Sequence, residues 1–198
     1  MLALPPLSLY IHIPWCVRKC PYCDFNSHTA DAIPEAIYVE KLLQDLQQDL
    51  SYVQGRKLHS IFFGGGTPSI FSTAVIKNIL DGVQEKIPFS SDIEITLEAN
   101  PGTVGMEKFA GFHAAGVNRL SIGVQSFSSV QLQKLGRIHD ADEAQRAVAM
   151  ARSAGFERIN IDLMHGLPNQ TVDDALADLQ QAIDLGVSHI SWYQLTIE

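Results

Sequence analysis

Three cysteines lie within eight residues, as Cys16-Val-Arg-Lys-Cys20-Pro-Tyr-Cys23, and the chain has no others. Thiolates this close on one loop can bind three irons of a cubic iron–sulfur cluster, which leaves the fourth iron open to a ligand that is not protein. Structural zinc is the rival. It takes four ligands, usually as two pairs from separate segments, and no second CxxC is present, so His12 or His28 would have to complete it. Ligand count and spacing favour the cluster. A disulfide framework is disfavoured by the odd count and by a start without a charged region leading into an apolar one. The spacing, interrupted by Pro21, follows neither the helix nor the strand period, so packing alone does not account for it.

The 198 residues are enough for one domain with a real core, and 46% hydrophobic with 18% charged is the composition of a soluble globular protein. No stretch approaches the roughly 20 apolar residues that span a bilayer. The net charge of −8 gives nucleic acid no electrostatic reason to bind. Clustered thiols without an export signal point to a reducing, cytoplasmic setting.

Something must carry the cysteines, and the pattern supplies it. Strand-like runs are expected at residues 7–13, 59–63, 93–97, 117–124, 158–163 and 188–196. Helical runs alternate with them at 34–52, 72–86, 107–115, 128–135, 140–154 and from Thr171 or Asp173 to 185. In the first helix Ile37, Leu42, Leu43, Leu46 and Leu50 fall near one face. Repeated βα units imply an α/β fold with a parallel sheet covered by helices. An open, partial barrel and a doubly wound sheet give the same alternation. In either, ligands belong at the carboxyl ends of the strands. The notable residues fall there: the cysteines after the first run, Gly64-Gly65-Gly66-Thr67-Pro68 after the second, Glu98 after the third, Gln125 after the fourth and Asp162 near the end of the fifth. The glycines have neither a Gly-Lys-Ser/Thr ending nor a GxGxxG pattern, which weighs against a P-loop and a dinucleotide fingerprint. The last strand run has no helix after it, so the sequence is expected to be the N-terminal core, residues 1–198, of a longer protein whose C-terminal region lies outside it.

The motifs together resemble the radical S-adenosylmethionine superfamily. Tyr10-Ile-His12-Ile-Pro14-Trp-Cys16, Cys20-Pro-Tyr-Cys23-Asp-Phe-Asn-Ser-His28, Gly64-Gly-Gly-Thr67-Pro-Ser69, Glu98-Ala-Asn-Pro-Gly102, Ile122-Gly-Val-Gln125-Ser-Phe127 and Asp162-Leu-Met-His-Gly-Leu-Pro168 are similar to the HemW-type heme chaperones. These are relatives of the oxygen-independent coproporphyrinogen III dehydrogenases. The resemblance covers essentially the whole chain. It implies a partial (β/α)6 barrel of the radical S-adenosylmethionine type, with a [4Fe–4S] cluster on Cys16, Cys20 and Cys23. The amino and carboxylate groups of S-adenosylmethionine would chelate the open iron. One electron from the reduced cluster then breaks a C–S bond of the sulfonium. By the same resemblance, Tyr10 and Tyr22 lie near the cofactor, and Gly65, Gly66 and Thr67 meet its methionyl end. Glu98, Gln125, Arg137 and Asp162 complete the contacts. Taken without the cysteines, Tyr10 reads equally as a core aromatic, Glu98 as a helix-entry residue and Arg137–Asp162 as a structural ion pair. Among the histidines, His165 is the best placed for substrate or heme, and His59 and His189 lie near strand starts.

One departure divides the two branches. The dehydrogenases have a further cysteine two positions after the last cluster ligand, where this chain has Phe25. The resemblance therefore implies binding of heme and its transfer to an acceptor protein ahead of oxidative decarboxylation of coproporphyrinogen III, and leaves enzymatic activity open. It also implies an electron donor such as a flavodoxin-type reductant, and allows peripheral membrane contact. Anaerobic reconstitution is expected to give cubane absorption, with iron and sulfide in equal amounts; both disappear in Cys20→Ala, whereas a zinc site would give neither.

Overall fold

The computed structural model describes residues 4–196. Six strands form one sheet in the order β1-β2-β3-β4-β5-β6. They are β1 (Leu7–Ile13), β2 (Leu58–Gly65), β3 (Phe89–Ala99), β4 (Arg119–Gln125), β5 (Arg158–His165) and β6 (His189–Gln194), and every adjacent pair is parallel. Helices α1 (Glu35–Val53), α2 (Thr73–Lys86), α3 (Met106–Ala115), α4 (Ser129–Lys134), α5 (Ala141–Ser153) and α6 (Val172–Asp184) make the crossovers. Spatial order equal to chain order excludes the doubly wound arrangement, in which the order reverses at a switch point. With every crossover advancing the same way, right-handed connections put the helices on one face and curl the sheet around the other. The fold is the open (β/α)6 half-barrel.

Alternation along the strands separates the two faces. Ile11, Ile13, Ile61, Phe63, Leu97, Leu120, Ile122, Ile159, Ile161 and Leu163 are buried beneath the helices. They pack against Ile76, Ile79, Leu80 and Val83 of α2, Phe109 and Phe112 of α3, and Ala144, Val148 and Ala151 of α5. The intervening positions turn to the concave face and are largely polar: Tyr10, His12, Thr96, Glu98, Arg119, Ser121, Asn160, Asp162, Ser191 and Tyr193.

The helix starts follow their caps. Ser72 and Ser128 accept from the third backbone N–H of α2 and α4, and Asp140 with Glu143 and Thr171 with Asp174 form reciprocal capping boxes. Thr171, not Asp173, therefore opens α6. Strand ends differ from expectation by a few residues because parallel pairing extends them. Gly65 pairs with Ile13, and Ala99 with Ile122, so the first glycines and Glu98 belong to strands, not to loops. No helix among the described residues is long and apolar enough to cross a membrane.

Phe63, fully buried, and Ser60, on the concave face of the same strand, test the division of faces. Phe63→Ala is expected to lower the unfolding free energy by about 3–5 kcal/mol and Ser60→Ala by under about 1 kcal/mol, both measured by urea denaturation.

Candidate functional site at the carboxyl ends of the strands

The chain leaves β1 at Pro14 and enters the cysteine loop. A parallel bridge pairs Trp15 with His28, with Cys16 N–H donating to His28 O (2.9 Å) and His28 N–H to Pro14 O (2.7 Å). Inside the loop, Lys19 Nζ donates to the carbonyls of Phe25 and Ser27, and Cys23 N–H to Cys20 O. Trp15 anchors the base by an edge contact with Tyr38 and by packing on Phe71. Next to it, Gly66 N–H donates to Ile13 O (2.7 Å) and Thr67 N–H to Trp15 O (2.8 Å). The close approach explains the glycines. A Cβ on Gly66 would lie 2.5 Å from Trp15 O, and one on Gly65, where φ is +112°, 2.6 Å from the His12 ring.

The loop closes over a cavity of about 660 Å³. Cys16, Cys20 and Cys23 line it as free, partly exposed thiols, together with Tyr22, Gly65, Gly66, Thr67, Glu98, Gln125, Arg137 and Asp162. Eleven of the twelve residues singled out from the sequence thus meet in one space. The twelfth, Tyr10, is on the same concave face but outside that wall: it stacks on Phe62, and its hydroxyl meets His12 Nδ1 at 3.1 Å. The other ring nitrogen of His12 meets Asn26 O at 2.9 Å, so both nitrogens are already engaged. His165 packs edge-on against Trp192 and does not line the cavity.

The cavity is electrically uneven. Glu98 is pushed up to about 7, first by burial and then by the charge of Asp162, with the Gly65 N–H opposing. Burial also raises Asp162, against hydrogen bonds from Ser121 Oγ (2.9 Å) and Asn160 Nδ2 (2.8 Å) that hold it down. Arg137, between α4 and α5, does not pair with Asp162. It donates from Nη2 to Gly123 O (2.7 Å) and from Nη1 to Cys20 Sγ (3.5 Å). Its Nε is buried without a partner among the described residues. Sequence reasoning passed over Ser121, Met164 and Tyr193, which also line the space. Ser121 was legible in the polar–apolar alternation of β4. Tyr193 was not, because Trp192 and Tyr193 in β6 are both large and aromatic.

These residues fit a cluster with a zwitterionic, cationic cofactor. Among the described residues no three His, Cys, Asp or Glu are gathered tightly enough for a single metal ion. The thiols instead border one side of a space large enough for a cluster and a small molecule. Two buried carboxylates whose charge is disfavoured gain from a cationic ligand, and the unpartnered Arg137 N–H suits a carboxylate.

A parallel half-barrel with a triple-cysteine loop after its first strand and polar groups at successive strand ends defines a class, and the chain belongs to it: the Radical SAM superfamily matches residues 10–182. The sequence is 57% identical over all of its length to "Heme chaperone HemW" of Escherichia coli K12, covering 53% of that protein. It is 61% identical over 98% of its length to "Heme chaperone HemW" of Haemophilus influenzae, covering 52% of that protein. The chain spans about half the length of these relatives. Its structure superposes with a TM-score of 0.82 at 30% identity on the coproporphyrinogen III oxidase HemN of Escherichia coli, covering 96% of this chain and 44% of that one.

Glu98 makes a pH-dependent contribution to stability. Its folded pKa is raised, so between the ordinary carboxylate range and about 7 the folded state holds more protons than the unfolded one. Stability therefore falls as pH rises through that window and levels off above it, by up to about 3 kcal/mol. Glu98→Gln removes this fall. Thermal melts of the cluster-free protein are expected to show the variant matching wild type at pH 5 and exceeding it at pH 8; a gain at pH 5 with none at pH 8 contradicts the assignment.

Proposed function

We propose that this chain is the cluster- and S-adenosylmethionine-holding core of a heme chaperone, which binds heme and passes it to an acceptor protein. The observation that carries the proposal is the single cavity shared by three free thiols, two carboxylates whose charge burial disfavours and a guanidinium with a buried, unpartnered N–H. Identities of 57% and 61% to proteins named heme chaperones support the heme-transfer part. Cys16, Cys20 and Cys23 would hold a [4Fe–4S] cluster, whose chemistry when bound is to pass one electron to the cofactor's sulfonium. Arg137 is placed for the cofactor's carboxylate, and Glu98 and Asp162 for its cationic and hydroxyl groups. Gly65, Gly66 and Thr67 admit close approach of its methionyl end, and Tyr22 screens the cluster side of the cavity from water. A low-potential, flavodoxin-type protein is the fitting reductant, in the cytoplasm.

Oxidative decarboxylation of coproporphyrinogen III is the second reading, favoured by the 0.82 superposition on HemN. Phe25 stands against it. Where the dehydrogenases have a further cysteine, this aromatic is 58% exposed at the cavity wall.

Titration of the anaerobically reconstituted protein with hemin is expected to give stoichiometric uptake by Soret absorption. Incubation with dithionite, S-adenosylmethionine and coproporphyrinogen III is expected to yield no protoporphyrinogen. Formation of that product would replace the chaperone reading with the dehydrogenase one.

A further inference from the structure

Gln125 is buried, 7% exposed, and has a backbone φ of +70°, a left-handed conformation that L side chains rarely adopt. The β4–β5 ladder also changes register between Gly123 and Gln125. Such an irregularity re-aims a side chain. Here it turns the amide into the cavity, where Gln125 Oε1 accepts from Tyr193 Oη at 2.7 Å. A conformation this unfavourable persists only if its flanks are held.

Both flanks are held, by residues that do not line the cofactor cavity. Before Gln125, the carbonyl of Val124 faces His139 Nε2 at 3.1 Å. That ring is 4% exposed, and since a carbonyl only accepts, this nitrogen carries the proton. After Gln125, the carboxylate of Asp178 reaches over from α6. It accepts from Ser126 Oγ (2.7 Å) and from Phe127 N–H (2.7 Å), and Ser126 Oγ in turn accepts from Ser128 N–H (3.0 Å). Asp178 is 6% exposed and takes part in no ion pair among the described residues. A buried carboxylate without a cation is costly unless hydrogen bonds satisfy it. Both of its short bonds go to the two residues that follow Gln125, at a turn that packing alone does not require to be charged.

We propose that Asp178 and His139 are positioning residues that grip the chain on either side of Gln125, hold its left-handed backbone and so present its amide to S-adenosylmethionine. The inference rests on the reading of this cavity as the cofactor site and adds residues that lie outside its wall. Asp178 acts from a helix that contributes nothing to the cavity wall, and His139 acts two residues beyond Arg137. The grip is on backbone and hydroxyl groups of the β4 exit, so it controls cofactor affinity and leaves the cysteine loop alone.

Calorimetric titration of the anaerobically reconstituted protein with S-adenosylmethionine tests this. Asp178→Ala is expected to raise the dissociation constant roughly tenfold or more, since two bonds to a charged group are lost. Ser126→Ala and Asp178→Asn, which each keep the Phe127 N–H bond, raise it less. Iron and sulfide content stay at the wild-type level in all three. In a Gln125→Ala background, Asp178→Asn adds no further loss, because the side chain being positioned is gone; a general loosening of the fold would still add. Deuterium uptake at residues 125–128 of the cofactor-free protein rises in Asp178→Asn while that of α5 does not. Wild-type affinity in Asp178→Asn and Ser126→Ala, or losses that add in the Gln125→Ala background, overturn the proposal. A reconstituted wild type that takes up no S-adenosylmethionine overturns instead the cofactor reading on which it rests.

Discussion

Where β1 and β2 run out, their pairing does not stop. The carbonyls of Ile13 and Trp15 receive the N–H groups of Gly66 and Thr67, and the bridge from Trp15 to His28 carries the same hydrogen-bonding plane across the cysteine loop. A metal-binding loop of this length would otherwise have to lose considerable backbone entropy on ordering. Here much of that ordering is an extension of the sheet. Gly66 is needed because two backbones meet at this seam, with no room for a Cβ between them. The thiols, the cavity and the strand-end residues keep their mutual positions because the first two strand exits are tied together.

The concave face completes the arrangement at a cost. Glu98, Ser121, Asn160 and Asp162 lie on neighbouring strands; Ser121 accepts from Asn160 Nδ2 and donates to Asp162 across the β4–β5 seam, and Asn160 also donates to Asp162 along β5. Such a row could not be built on the helix-covered face, where Phe63, Leu97 and Ile161 are wholly excluded from water. It persists because the sheet is a half-barrel whose open side admits solvent or ligand. The raised carboxylates are the energetic trace of a site shaped for something other than its own stability.

Most of this was legible in the order of the residues. Short strand-like runs located the six strands, and the helical runs between them located the crossovers. The rule that ligands sit at strand carboxyl ends then gathered the polar residues that follow them. Three things were not legible. Partial barrel and doubly wound sheet share one alternation and differ only in which strands pair. The reach of Asp178 from α6 to Ser126 spans 52 positions, and no local pattern announces it. Tyr10 has the right type and spacing, but the pairing of its hydroxyl with His12 is a property of two side chains in space. Local periodicity carries secondary structure and face; long-range polar contacts and side-chain direction require the fold.

The separation of Arg137 from the two carboxylates has a consequence for how a molecule arrives. Arg137 acts on Tyr22 and Cys20, Asp162 acts on Glu98, and the Tyr193 hydroxyl, pushed up to about 12 chiefly by burial, feels all three charges. One cavity therefore holds a guanidinium beside the cysteine loop and two carboxylates, all within reach of the same hydroxyl. A zwitterionic guest can set both of its charges against unlike groups in only one of its two orientations there.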